Sequence, residues 1–261
     1  MSERSLREPL HPGLAARPDE PATPEGLDLR ELPRSVRAEL RGLSAEHAEV
    51  VAAHLLMARM LIETDPAKAY AHAEAARRRA ARLPVTREAA GETAYAAADY
   101  ATALTEFRAL RRISGRDDYL PVMADCERAL GRHQAALRLV KEGLSQDVDV
   151  SRLVELRLVE AGVRRDLGQV DEAIRLLQAE IERIGARGPK VARARLRYAY
   201  ADLLEHSGDE EQAERWFAAA AGLDPEGTTD AEERLEALQG MTIDFDENDE
   251  SDPAQTEEDR A

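Results

Sequence analysis

Cys126 is the one thiol in the chain, and His133 follows it at seven residues, the spacing at which two turns of one helix would set a thiolate beside its base. Gly131 lies between them and interrupts such a helix, so Cys126 reads as a small core side chain between Ala124 and Ala129. His47 and His54 are also two turns apart, with His72 on the next helix, yet no further ligand recurs at a spacing that would complete a tetrahedral zinc site. Lys68, Lys141 and Lys190 have no glycine-rich loop before them to cradle a phosphate, and no Gly-x-Ser-x-Gly nucleophile elbow occurs. Acids recur in nearly every helical stretch as solvated faces rather than as an acid/base pair. The residues that could do chemistry are therefore not assembled for it. The expectation is a chain that is no enzyme, with no catalytic residues, no metal and no cofactor.

The strongest basic feature is Arg77-Arg78-Arg79, with Arg82 and Arg87 nearby. Three consecutive helical residues fan across an arc of about 200°. The cluster therefore reads first as a solvated helix surface, and second as a contact for nucleic acid or an acidic peptide across an Arg77–Arg82 face. The wider charge distribution opposes the nucleic-acid version. Residues 1–208 carry 33 acids and 33 bases, whereas residues 209–261 carry 19 acids against Arg215, Arg234 and Arg260, so the whole net charge of −16 resides in the last 53 residues. Such an excess repels phosphate over a Debye length.

The elements that must position these residues are helices. Alanine supplies 47 of 261 residues and aromatics only 4%, while strand formers are sparse, so an all-α fold packed through small side chains is expected. No uncharged run approaches the twenty or so apolar residues of a membrane helix, and charges at Glu3, Arg4, Arg7 and Glu8 interrupt any signal-like start. With a single cysteine, a cytoplasmic location follows as an expectation. Residues 1–26 hold five of the twelve prolines and read as a disordered leader; residues 241–261, with nine acids and one base, read as a disordered acidic tail in which Ile243-Asp-Phe245-Asp is a candidate docking motif. Between them come a capping helix in 27–43, about five helix pairs in 44–225 and a second capping helix in 226–240. Ser44, Asp65-Pro66 and Thr229-Asp-Ala-Glu232 supply helix starts, and Gly131, Gly168, Gly208 and Gly240 supply stops.

Four units share one spacing: a small residue, a turn residue seven later, an alanine five beyond and an apolar residue four after that. They are Gly91, Ala98, Ala103, Phe107; Ala124, Gly131, Ala136, Val140; Ala161, Gly168, Ala173, Leu177; and Ala201, Gly208, Ala213, Phe217. An earlier unit around Met57, Asp65-Pro66, Ala69 and Ala73 keeps the second-helix alanines. Two antiparallel helices nest where each offers a small side chain at the crossing. The pattern resembles the tetratricopeptide repeat family, as a divergent bacterial member, over residues 44–225; the final Leu223-Asp224-Pro225 is similar to the family's terminal aspartate-proline, while the family's first-helix tryptophan is missing and Trp216 falls on a second helix. The resemblance implies a right-handed α-solenoid that binds a peptide or helix of a partner protein in a concave groove lined by first helices. It places Tyr95, Arg128, Arg165, Tyr198, Glu92, Asp125 and Asp202 in that groove, with His54, Glu88, Arg195 and Glu205 beside them, and puts Arg108, Arg111, Arg112 and Arg138 with the Arg77 cluster on the convex, second-helix side, a basic stripe onto which the acidic end could fold. A clamp for a C-terminal carboxylate is not expected, since Asn248 is the only asparagine and lies in the acidic end.

Overall fold

The computed structural model describes residues 19–24 and 26–240; the expectations for residues 1–18 and for the acidic end from 241 lie outside them. The described residues contain twelve α-helices and no strand. After a 3-10 turn at Leu29–Glu31 come α1 (Arg34–Leu40), α2 (Ala45–Leu61), α3 (Pro66–Arg79), α4 (Pro84–Ala96), α5 (Tyr100–Ser114), α6 (Leu120–Ala129), α7 (His133–Leu144) and α8 (Val150–Asp166). Then follow α9 (Val170–Ile184), α10 (Lys190–His206), α11 (Glu210–Ala221) and α12 (Ala231–Leu238). The chain divides into two compact units whose boundary, between Leu176 and Leu177, falls inside α9.

In the first unit each helix packs on its successor from α1 to α8, and α2 lies against α4 as α6 does against α8. In the second, α10 packs on α11 and α11 on α12.

The four turn residues of the repeated spacing all adopt a left-handed backbone, with φ of 58° at Ala98, 72° at Gly131, 74° at Gly168 and 89° at Gly208. At each one the next backbone N–H reaches back to the carbonyl five residues earlier: Asp99 to Ala94, Arg132 to Glu127, Gln169 to Arg164 and Asp209 to Leu204, at 2.8–3.0 Å. These are the Schellman closures that satisfy a helix's last carbonyls. The residue after the turn already accepts the first bond of the next helix, and where it is Asp99 or Asp209 its carboxylate also caps the amide of Thr102 or Gln212. One residue thus ends one helix and another begins the next, so the two must fold back on each other. Asp65 and Asp149 cap α3 and α8 in the same way. Thr229 departs from the expected capping box: it and Thr228 donate backbone and side-chain hydrogen bonds to Asp224, whose carboxyl is held down at about 2 by that grip, and α12 starts at Asp230 without a side-chain cap. Ser44 occupies the N-cap position of α2, also without a side-chain bond.

The small and apolar members of the four units, together with Ala69 and Ala73 of the earlier one, are buried. The tightest crossing is α4 on α5. A Cβ built on Gly91 would stand 2.8–3.0 Å from three ring carbons of Phe107, and that ring, 1% exposed, is stacked on Tyr119 with centroids 4.8 Å apart. A Cβ on Gly143 would stand 2.8–2.9 Å from both methyl carbons of the buried Leu156.

His54 is not on an open face as expected. It is 4% exposed, and its Nδ1 lies 3.1 Å from Nδ1 of His72, which is fully buried on α3. Its neighbours on the register, Leu55, Leu56 and Ala58, are buried too, so this stretch of α2 is enclosed almost all round. The shared hydrogen bond needs one ring to donate and the other to accept, which two imidazolium ions cannot do. Burial, and then the neighbouring His72, hold His54 down at about 4, while Glu20 opposes and Arg79 and Arg78 reinforce that shift; burial lowers His72 as well.

Gly91→Ala is expected to destabilise the chain by about 1–2 kcal/mol in chemical denaturation, because the overpacking of Phe107 exceeds the roughly 1 kcal/mol that alanine gains in helix propensity. Adding Phe107→Leu should recover part of that loss. Ala98→Gly should stabilise by about 0.5–1 kcal/mol, since Ala98 alone among the four turn residues carries a Cβ into the left-handed region. The histidine pair sets a pH window. The unfolded chain takes up protons below about 6.5 and folded His54 only near 4, so stability is full above the higher value and lost as pH falls between them, by about 3 kcal/mol. His54→Phe should flatten the melting temperature across that window.

Candidate functional site

Only first helices contribute to the polar surface that stands out in the first unit. Tyr95, at the end of α4, donates its hydroxyl to Asp125 Oδ2 on α6 at 2.6 Å. Arg128, one turn further along α6, gives Nε to Asp125 Oδ1 at 2.8 Å and a terminal nitrogen to Asp166 on α8 at 2.9 Å. Three successive first helices are thereby joined by a chain of hydrogen bonds: hydroxyl, carboxylate, guanidinium, carboxylate. Arg128 reaches Asp166 by lying over Gly162, where a Cβ would come within 3.2 Å of its Cδ.

A second group flanks this chain. Tyr119, at the start of α6, donates to Glu88 and, at 3.1 Å, to Glu92, both on α4. Glu92 is open to water yet ringed by protein; that surrounding, and then the adjacent Glu88, raise its carboxyl. Burial followed by carboxylate acceptors pushes the Tyr95 and Tyr119 phenols well above their ordinary value, so both hydroxyls stay protonated as donors at any physiological pH. Tyr95 also meets Tyr100 edge-on at 5.6 Å. The arrangement is fixed and partly exposed, and it carries no free nucleophile. Cys126 is buried, and its thiol is pushed up to about 12, first by burial and then by Asp125, which removes its thiolate. Among the described residues no three His, Cys, Asp or Glu side chains converge on a metal-sized space, and no helix is long and apolar enough to cross a membrane.

The residues named from the family resemblance separate into two groups. Tyr95, Glu92, Asp125 and Arg128 come together in the first unit, with Arg165 exposed beside Asp166. Tyr198 and Asp202 belong to the second unit, where Arg234 of α12 already holds them. Its guanidinium reaches the Tyr198 hydroxyl at 3.2 Å, Asp202 at 3.3 Å and Glu205, and lies 4.9 Å over the Phe217 ring. The Tyr198 phenol is pushed up to about 12, by burial first and then by Asp230. In the second unit the expected binding face is therefore the seat of α12.

Tyr119, Asp166 and Arg234 were not legible as site residues, although a signal for them exists. The pairs 88/119, 92/119, 95/125 and 128/166 are separated by 31, 27, 30 and 38 residues, and Arg234 stands 36, 32 and 29 from its three partners. Complementary polar residues about one repeat apart would have flagged every one.

Six of the arginines on the basic faces are paired with carboxylates of the chain. Arg77 binds Glu74 at 2.7 Å and lies 3.4 Å from Glu106, Arg87 binds Glu106 at 2.6 Å, Arg78 pairs with Asp19 and Glu74, and Arg79 with Glu20. Arg108 pairs with Glu127, and Arg111 with Asp117 and Glu142. Guanidiniums already neutralised by the chain's own carboxylates do not form an open phosphate-binding surface.

No family model matches the chain, and no curated protein matches it in sequence. Solved structures do resemble it. TTC0263, a thermophilic TPR protein of Thermus thermophilus, is 19% identical over 72% of this chain and 98% of its own, with a TM-score of 0.56. YrrB, a TPR protein with an unusual peptide-binding site, is 17% identical over 78% of this chain and 99% of its own, with a TM-score of 0.43. With the recurrent turns and buried small residues, the likeness to TTC0263 gives this chain the all-α fold of tetratricopeptide-repeat proteins, the α-solenoid class.

Proposed function

We propose that the chain is a non-enzymatic scaffold whose first unit binds a peptide or helix of a partner protein along the first-helix face that carries Tyr95, Glu92, Asp125 and Arg128, with Arg165 at its edge. The observation that supports this reading is the hydrogen-bonded chain from Tyr95 to Asp166. It spends polar side chains on an exposed face rather than on a core, and holds them in one geometry before any partner arrives, so little side-chain entropy remains to be lost on binding. Tyr95 offers a rigid amphipathic ring, and carboxylates and guanidinium alternate along the face, which favours a partner segment of mixed charge. Tyr198 and Asp202 would then act through α12, as the docking site that closes the second unit. Fold alone does not fix function; the reading rests on the face.

Affinity capture from lysate with the full chain, compared with its Tyr95→Ala and Arg128→Ala variants, tests the proposal. Proteins retained by the parent should be lost from both variants, and binding measured on any purified partner should weaken by about 1–2 kcal/mol per substitution. Melting curves establish first that each variant is folded. Retention of the same partners at unchanged affinity would remove the face from consideration.

A further inference from the structure

Residues 19–24 form neither helix nor strand, yet the Glu20 side chain is only 1% exposed. Its carboxylate pairs with Arg79 of α3, 3% exposed, while the preceding Asp19, 62% exposed, pairs with the neighbouring Arg78. Behind them lies the buried His54 and His72 pair, with His54 within electrostatic reach of Glu20, Arg78 and Arg79. The contact spans 59 residues of sequence. One acid is thus an anchor sunk into the first unit and its neighbour a rim contact, a division of labour typical of a bound peptide.

The chemistry of the site follows from what stays behind when the segment leaves. Arg79 is part of α3 and cannot withdraw. An enclosed guanidinium that loses a carboxylate is destabilised, whereas a second carboxylate restores that pair, so the site selects an acid. Pro21 favours an extended backbone at Glu20, which sends the two acids in different directions. No residue of 19–24 joins the apolar cluster of Leu32, Leu40, Leu55 and Leu56 beneath. The two acids bind α3 through ion pairs, and a contact of that kind can be exchanged for an equivalent one.

We propose that the Arg78 and Arg79 surface of α3 is a binding site for an acidic Asp-Glu-Pro segment, which the chain fills with its own residues 19–21 and which a segment of the same chemistry from a partner protein fills in their place. The site lies on a second helix, apart from the Tyr95 face, and stands whether or not that face binds anything. The tethered copy competes as if present at roughly millimolar concentration, so the site is masked in the resting chain.

The test uses the full chain with Asp19→Asn and Glu20→Gln together, which removes the tethered charges and keeps the side-chain shapes. The probe is a fluorescein-labelled synthetic peptide of residues 15–26, followed by anisotropy at low salt. The variant should bind it at least about tenfold more tightly than the parent chain, and the affinity should fall as salt is raised. A peptide with the same two substitutions should bind neither chain, and Arg78→Gln at the rim should weaken the complex. Binding by the Tyr95→Ala chain made in the same double-variant background should be unchanged, which separates this site from the first-helix face. No binding by the variant up to about 1 mM, equal affinity for variant and parent, or affinity indifferent to the peptide's acids would each overturn the proposal. Melting curves of the double variant show that the chain under test is folded; if it is not, the peptide substitutions alone, titrated against the parent, carry the same decision.

Discussion

Close approach of two helices at a small side chain is the constraint on which the rest depends. Gly91 admits the Phe107 ring where any Cβ would collide with it, and Ala124, Ala161 and Ala201 occupy the corresponding positions of the other units. A chain with so few aromatics cannot bury large area per residue, so it stabilises itself by many short-range contacts between closely packed helices. The left-handed turns serve the same end. Because Ala98, Gly131, Gly168 and Gly208 reverse the chain in one residue, the register between paired helices is set before side chains meet. The alanine at position 98 accepts backbone strain for that geometry, which shows that the turn is demanded by the pairing and not merely permitted by glycine.

Once the second helices are committed to the core, the first helices are left with a face that has no apolar partner. The structure fills it with polar pairs one repeat apart. Tyr95 with Asp125, Arg128 with Asp166 and Tyr119 with Glu88 and Glu92 tie neighbouring first helices together in the first unit, and in the second Arg234 does so for α10 and α12. Exposed ion pairs of this kind add little stability singly. Their effect is geometric: each fixes a side chain that would otherwise sample several rotamers, so the face presented to a partner is already ordered. Arg234 satisfies in the second unit, for Tyr198, Asp202 and Glu205, groups of the kind that neighbouring first helices satisfy for one another in the first.

The architecture was legible because it is repetitive and local. The spacing of small, turn, alanine and apolar residues found the buried positions and left-handed turns of four units without reference to any contact, and Asp65-Pro66 located the start of α3. Legibility ended where partners lie a repeat or more apart. The groove register puts His54 on an open face, yet its partner His72 arrives from α3 and encloses it. Arg77 to Arg79 look like an open basic surface in the sequence because, besides the adjacent Glu74, the carboxylates that pair with them, Asp19, Glu20 and Glu106, are far along the chain. Thr229 looks like a cap because the sequence shows Asp224, which claims its hydroxyl, only as part of an aspartate-proline ending.

Charge in this protein is therefore better read as a set of assignments than as a sum. The first 208 residues are neutral overall, and the structure pairs Arg77 to Arg79, Arg108, Arg111 and Arg128 with specific carboxylates. An arginine so paired can bind another chain only by exchanging one satisfied pair for another, at a rate set by how readily the internal partner leaves. A carboxylate on a helix of the core leaves only on unfolding, whereas one on an irregular segment such as residues 19–24 leaves at the cost of its own contacts alone. It is the second kind of pair, not the net charge, that can make a paired arginine available to another chain.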